Sequence, residues 1–201
     1  MTQIYRVFAL DLDGVVYDFP SGLLQYLRDR WGIRKSLEQW TDLNLARLTE
    51  DDAVNRDVIE KIQDPFWYDE FIHPYPQAEE ALHRLKAWGD LCFITSRPPG
   101  ALREVTRRRL SADFGSDIFN ESTLFSMSKN RPRAARTFHA TYAFEDNPTV
   151  AKEYTKHRIV CYVIDQPYNQ DRYIQNWWMR PAGNLLEAAK AFERSMQSVE
   201  V

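Results

Sequence analysis

Two carboxylates near the start of the chain are the first candidates for a reactive site. Asp11 and Asp13 follow an apolar run, Ile4 to Leu10, which is typical of a buried strand ending at a sheet edge. Ligands of open parallel sheets bind outside the carboxyl ends of the strands. Two acids this close repel each other unless a cation or a shared proton is present. The pair indicates a metal-assisted nucleophile with a general acid/base, and the alternative is an ordinary strand-ending turn rich in aspartate.

Two later strand ends carry groups that suit an anion and a cation. Thr95 and Ser96 offer hydroxyls to a phosphate oxygen, and Arg97 adds a planar cation beside them. Glu145 and Asp146 follow another apolar run, and Mg²⁺ prefers carboxylate oxygens of this kind. Each group alone is also explained by a local turn or a helix start. Together with the first acidic pair, they predict a Mg²⁺ site beside a phosphate site.

Phosphoryl transfer also needs a cation near the charged oxygens. Lys129 is the candidate, because it precedes the helix that leads to the strand before Glu145. Three arginines compete with it for this role: Arg131, Arg133 and Arg136.

The chain around these residues alternates between predicted strands and predicted helices. Apolar periodicity predicts strands near 4–10, 91–95, 122–127, 141–144 and 159–164, with helices near 78–88, 101–110, 132–139, 149–157 and 185–196. This alternation predicts an α/β fold with a parallel sheet. Residues 20–76 interrupt it with helical patterns, including a helix over 36–47, and are predicted to form a small helical cap. The predicted core comprises 1–19 and 77–201.

Composition limits the classes of partner. The 201 residues are 44% hydrophobic and carry a net charge of −3, so bulk charge does not favour binding to nucleic acid or membranes. The N-terminus enters the first strand without a signal-peptide pattern, and both cysteines, Cys92 and Cys161, lie in apolar runs. We therefore expect a cytoplasmic protein with reduced thiols, and a homodimer is compatible with the sequence.

Taken together, these motifs resemble those of the haloacid dehalogenase superfamily of phosphohydrolases. The four-part pattern is matched by Asp11-Leu12-Asp13-Gly14-Val15-Val16, by Thr95, by Lys129 and by Glu145-Asp146. Within that superfamily, the chain resembles the type C 5′-nucleotidases, which include the pyrimidine 5′(3′)-deoxyribonucleotidases. That similarity rests on Asp18-Phe19, on residues 95–98, and on residues 165–169 followed by Trp177. The chain departs from those enzymes at Glu145, where they carry aspartate. The spacing from Lys129 to Glu145 is also longer than theirs.

The resemblance implies a Rossmann-like core with a cap inserted after the first strand. It implies that Asp11 is the nucleophile, that Asp13 is the acid/base, and that Thr95 and Lys129 hold the phosphoryl group. Mg²⁺ would be held by the Asp11 carboxylate, the Asp13 backbone carbonyl and Asp146, with Glu145 in support.

The resemblance also suggests where a nucleotide base would bind. Phe19 matches an aromatic position that faces the base, and Phe66 and Trp67 lie near the return from cap to core. Trp40 lies within the cap, and a plain core role is favoured for it. Residues 165–169 are interpreted as a loop that orders the rim of the site. Ser96 and Arg97 complete the predicted substrate contacts.

The sequence therefore predicts a Mg²⁺-dependent phosphomonoesterase acting on nucleoside monophosphates, with deoxyribonucleotides favoured. Two alternatives stay open: a phosphatase for another small phosphate ester, and a nucleotide-binding or regulatory module of the same fold that does not turn over. In each case the partner is a small phosphate-bearing molecule.

Overall fold

One parallel sheet of six strands runs through residues 6–170 and 177–197, the parts of the chain that the computed structural model describes. The strands are β1 (Val7–Leu10), β2 (Asp90–Thr95), β3 (Leu124–Met127), β4 (Tyr142–Glu145), β5 (Val160–Ile164) and β6 (Met179–Ala182). They are ordered β3-β2-β1-β4-β5-β6, and all neighbouring pairs are parallel. Residue 4, where the first strand was predicted to begin, lies outside the described residues.

Alternation along the strands gives the sheet two apolar faces. Phe8 and Leu10 belong to one buried cluster, whereas Val7 and Ala9 belong to the other, because successive side chains point to opposite faces of a sheet. Both faces are covered by helices. This arrangement confirms the predicted α/β class with a parallel sheet, and it explains why the strands read as continuous apolar runs.

Eight α-helices are present in the described residues. They are α1 (Phe19–Trp31), α2 (Asp52–Lys61), α3 (Pro65–Phe71), α4 (Ala78–Lys86), α5 (Ala101–Phe114), α6 (Arg131–Thr137), α7 (Pro148–Lys156) and α8 (Leu185–Gln197). Helices α4, α5 and α8 contribute to the cluster around Phe8, and α6 and α7 to the cluster around Ala9. None of these helices combines the length and the apolar composition that a membrane span requires.

Strand β6 was not predicted. Its four residues, Met-Arg-Pro-Ala, lack apolar alternation and contain Pro181, which removes a backbone donor. An edge position tolerates proline because only one side of the strand pairs with a neighbour, here β5.

The helical segment between β1 and α4 contains α1, α2 and α3. Aspartates cap the start of each helix: Asp18, Asp51 and Asp64 accept hydrogen bonds from first-turn N–H groups. The predicted helix over 36–47 is wrong. That stretch holds only two short 3₁₀ turns, Leu37–Gln39 and Leu45–Arg47, because Asn44 starts a new turn by capping the N–H of Ala46.

The two ends of this helical segment lie side by side and are joined by backbone hydrogen bonds. The Asp18 N–H donates to the His73 carbonyl at 2.8 Å, and the Tyr75 N–H donates to the Val16 carbonyl at 3.0 Å. Arg109 of α5 then donates to the Tyr68 carbonyl at 3.1 Å and to the Ile72 carbonyl at 2.8 Å, at the end of α3. These bonds fix α3 over the carboxyl edge of the sheet.

Candidate active site

Three adjacent strands deliver the acidic and hydroxyl groups to one edge. Strand β1 is flanked by β2 and β4, and the chain reaches Asp11, Thr95 and Glu145 where these strands end. The Asp11 N–H donates to the Phe144 carbonyl at 3.0 Å, which continues the pairing of β1 with β4. Because the carboxyl ends of parallel strands meet at one edge, residues far apart in sequence come together here.

The deepest part of the site is a cluster of carboxylates. Asp11, Glu145 and Asp146 each place an oxygen within 4.8 Å of the others, and all three are buried. Three buried acids this close favour a cation among them, and oxygen donors of this kind fit Mg²⁺. The Asp13 side chain is not part of this cluster, which leaves its backbone carbonyl as the ligand that the family resemblance implies.

Gly14 makes room for the cluster. Its φ is +81°, and a Cβ at this position would lie 2.2 Å from Asp146 Oδ2. Any side chain at this position would therefore displace the Asp146 carboxylate as well as strain the backbone.

A buried arginine, Arg131, contacts two of the three clustered acids. Arg131 Nε and Nη2 donate to the two oxygens of Glu145 at 2.9 and 2.8 Å, and Nη2 lies 3.4 Å from Asp11 Oδ2. Glu145 also accepts from the Asn147 N–H at 3.1 Å. Both oxygens of Glu145 are thus occupied, so Glu145 fixes Arg131 beside Asp11. This leaves Asp11 and Asp146 as the side chains best placed for a cation.

The protonation of these acids follows from burial and mutual repulsion. Burial raises the pKa of Glu145 to about 7, although Arg131 opposes the rise. Burial and the nearby Asp11 charge raise the pKa of Asp146 to about 7. Burial also raises the pKa of Asp11, again opposed by Arg131. Without a cation, the cluster therefore holds protons at a pH where free carboxyl groups are ionised.

Asp13 is held by Arg97 at the side of the cluster. Arg97 Nε and Nη2 donate to the two Asp13 oxygens at 2.9 and 2.6 Å, and Nη1 donates to Thr106 at 3.1 Å. The guanidinium carbon lies 4.2 Å from the ring centre of Tyr68 and 5.3 Å from that of Tyr17. Arg97 therefore orients Asp13. It also lines the cavity, and its predicted contact with substrate stays a prediction.

The other residues predicted to bind phosphate differ in their settings, and of these Ser96 and Lys129 line the cavity. Thr95 is buried, and its hydroxyl accepts from the Arg97 N–H at 3.2 Å. Ser96 is exposed and lines the cavity. Lys129 is exposed and also lines it, whereas the cation in contact with the acids is Arg131.

The cavity above the acids holds about 400 Å³ and has an apolar wall. This wall is formed by side chains from α1, from α2, from the segment between them and from the residue after α2: Phe19, Trp40, Leu43, Leu45, Ile59 and Ile62. Phe19 and Trp40 pack against each other with ring centres 6.2 Å apart. Two predicted substrate contacts lie elsewhere. Phe66 is 80% exposed on α3, and Trp67 is buried among Phe19, Tyr26, Tyr68 and Phe71.

Some of this arrangement was missed by sequence reasoning. Arg131 was named only as a competitor of Lys129, and its position on the first turn of α6 gave no further signal. Trp40 was expected in a plain core, and it is buried within the main apolar cluster, although it also lines the cavity. The aliphatic residues of the wall carried no chemical signature, because a leucine that faces a ligand looks like one that faces the core.

Comparison with known proteins places this geometry in a known fold. No protein-family model matches the sequence, and no curated protein matches it. Solved structures do match. A haloacid dehalogenase-like hydrolase of Streptococcus pneumoniae aligns with a TM-score of 0.58 at 14% identity, covering 96% of this chain and 100% of that chain. The chain has the fold of haloacid dehalogenase-like hydrolases.

Other matches show how varied this fold is in activity. An L-2-haloacid dehalogenase aligns with a TM-score of 0.55 at 16% identity, covering 94% of this chain and 99% of that one. A candidate phosphoglycolate phosphatase of Lactobacillus plantarum aligns with a TM-score of 0.57 at 12% identity, covering 92% and 98%. Because one fold hosts several chemistries, the activity has to be argued from the site.

Proposed function

We propose that the protein is a Mg²⁺-dependent phosphatase of small phosphate esters, with nucleoside monophosphates as its substrates. One observation carries the proposal: Asp11 and Asp146, two members of the buried acidic cluster, line a cavity that apolar and aromatic side chains also line. Such a cavity suits a molecule with a phosphate at one end and a flat group at the other.

In this proposal Asp11 is the nucleophile. Its Oδ1 accepts the Leu12 N–H at 2.8 Å, and Arg131 lies beside its Oδ2, so the carboxylate is held in one orientation. An Asp11 oxygen attacks phosphorus, the bond from phosphorus to the leaving oxygen breaks, and an aspartyl-phosphate forms. Mg²⁺, held by Asp11, Asp146 and the Asp13 carbonyl, would offset the negative charge of the phosphoryl oxygens.

Asp13 is the acid/base of both steps. It gives a proton to the leaving oxygen, and it then takes a proton from the water that attacks phosphorus and releases Asp11. Arg97 holds the Asp13 carboxylate through two hydrogen bonds, so the base form is oriented before that water arrives. The cycle returns one proton to Asp13 for each ester hydrolysed.

Binding of the phosphoryl group is assigned to groups around the rim. Ser96 supplies a hydroxyl and Lys129 a positive charge in the lining of the cavity, and the buried Thr95 supplies a second hydroxyl beside Ser96. Arg131 is already neutralised by Glu145 and Asp11, so Lys129 adds the charge that attracts an anion.

The choice of a nucleotide rests on the apolar wall. Residues 20–76 are proposed to act as the cap, and Phe19, which packs against the buried Trp40, is the aromatic surface proposed for a base. Stacking of one base on an aromatic side chain contributes about 1–3 kcal/mol. A sugar phosphate would leave most of this wall in contact with water.

A substrate panel tests the proposal. Phosphate release is measured with dUMP, dTMP, sugar phosphates and an aryl phosphate, each with and without Mg²⁺. We expect release that requires Mg²⁺ and that is fastest with the nucleotides. Faster release from sugar phosphates would contradict a nucleotide substrate and favour another phosphate ester. No release from any ester would contradict the phosphatase and favour a binding module of the same fold.

A further inference from the structure

Residues 165–169, which follow β5, form hydrogen bonds to the backbone around the acidic cluster. Asn169 Nδ2 donates to the Asp146 carbonyl at 2.6 Å and to the Ile164 carbonyl at 2.8 Å, and Asn169 is fully buried. The Gln166 N–H donates to Asn169 Oδ1 at 2.9 Å, and Gln166 Nε2 donates to the Gly14 carbonyl at 2.9 Å. The loop is therefore fixed to the end of β5, to the backbone of Asp146 and to the turn after β1.

Tyr168 is the residue of this loop that reaches the carboxylate itself. Its hydroxyl donates to Asp146 Oδ2, and its ring is 2% exposed. Gly14 leaves the space for this contact, because a Cβ there would lie 2.8 Å from the Tyr168 hydroxyl. The same ring lines the cavity and packs against Trp40, with ring centres 5.2 Å apart.

We propose that Tyr168 is a positioning residue that orients Asp146 for the cation, an inference that rests on the proposed Mg²⁺-dependent function. The phenol bonds to Asp146 Oδ2 and so holds the carboxylate in an orientation in which Asp146 has an oxygen within 4.8 Å of oxygens of Asp11 and Glu145. A buried carboxylate without this bond would be free to turn away from Asp11. Groups that orient metal ligands in this way change metal affinity by about 10–100-fold when they are removed.

The contact with Trp40 gives Tyr168 a second consequence. Trp40 forms part of the wall proposed for the base, and Tyr168 is the side chain that lies between it and Asp146. The ring of Tyr168 therefore belongs to the leaving-group wall, while its hydroxyl belongs to the metal site. Removing only the hydroxyl separates the two contributions, because phenylalanine keeps the ring.

The test compares Tyr168→Phe with the wild type by isothermal titration calorimetry, using Mg²⁺ alone. We expect binding of Mg²⁺ to weaken by about 10–100-fold. Tyr75→Phe is the matched control, because the Tyr75 hydroxyl accepts from Gln166 at 3.0 Å in the same network without bonding to the acidic cluster. Its Mg²⁺ affinity should equal that of the wild type. Equal affinity in Tyr168→Phe and the wild type would overturn the inference.

If Tyr168→Phe also lowers the melting temperature in EDTA, weaker Mg²⁺ binding could reflect a less stable fold. A double-mutant cycle separates these two causes. In an Asp146→Asn background, Tyr168→Phe should cause no further loss of Mg²⁺ affinity, because the phenol acts through the Asp146 carboxylate. Additive losses would show that the phenol acts elsewhere and would overturn the inference.

The two proposals fail differently. Mg²⁺ binding without release of phosphate from any ester contradicts the proposed function alone. A wild type that binds no Mg²⁺ contradicts both.

Discussion

Replacing Arg131 by methionine is expected to destabilise the protein by about 3–5 kcal/mol, the usual cost of leaving one member of a buried ion pair without its partner. Glu145 is completely buried, and two of its three hydrogen bonds come from Arg131. The double variant Arg131→Met/Glu145→Gln removes the stranded charge as well. It should regain more than half of the lost stability.

The cost should also depend on pH. Burial already places the folded-state pKa of Glu145 near 7 in the presence of Arg131, against an ordinary value of 4.5. Between these values the folded state binds more protons than the unfolded state, so stability falls as pH rises. In the wild type the contribution of Glu145 to this fall in stability ends near pH 7. Without Arg131 the pKa rises further, so the fall continues above pH 7 with a slope of up to about 1.4 kcal/mol per pH unit.

Urea unfolding followed by tryptophan fluorescence measures both effects, with EDTA present so that bound metal does not contribute. The difference between the wild type and Arg131→Met should grow from pH 7 to pH 9. A loss below 1 kcal/mol at pH 8, with no dependence on pH, would refute the buried pair.

Three further predictions concern the metal and the substrate. Mg²⁺ should raise the melting temperature more at pH 8 than at pH 6, because burial raises the pKa of Asp146 to about 7 and the cation must displace its proton; an equal shift would contradict this. Asp13→Asn should slow hydrolysis of nucleotides by about 10²–10⁴-fold, measured as kcat, whereas normal turnover would remove Asp13 from the chemistry. Trp40→Ala should raise KM for dUMP by about fivefold or more without changing the inhibition constant of inorganic phosphate, because Trp40 supports the aromatic wall proposed for the base.

The sheet and the acidic groups could be predicted because they leave strong local signals. The buried strands are continuous apolar runs, and Asp11, Thr95 and Glu145 mark the abrupt polar ends of three of them. In a parallel sheet, such ends meet at one edge whatever their separation in sequence. The convergence of these residues therefore followed from the periodicity alone.

The remaining features depended on tertiary context. Lys129 and Arg131 are two residues apart, and only the first turn of α6 determines that Arg131 points to Asp11 while Lys129 stays at the rim. Strand β6 gave no periodic signal because it is short and contains Pro181. The predicted helix over 36–47 failed because local capping by Asn44 outweighed helix periodicity.

The most direct test of the proposed chemistry is phosphate release from dUMP by Asp11→Asn compared with the wild type, in the presence of Mg²⁺. Asparagine keeps an oxygen that can accept the Leu12 N–H, so the melting temperature in EDTA should stay within a few degrees of the wild-type value. We expect this variant to fold and to release no phosphate above background. Turnover by Asp11→Asn at the wild-type rate would contradict the proposed chemistry.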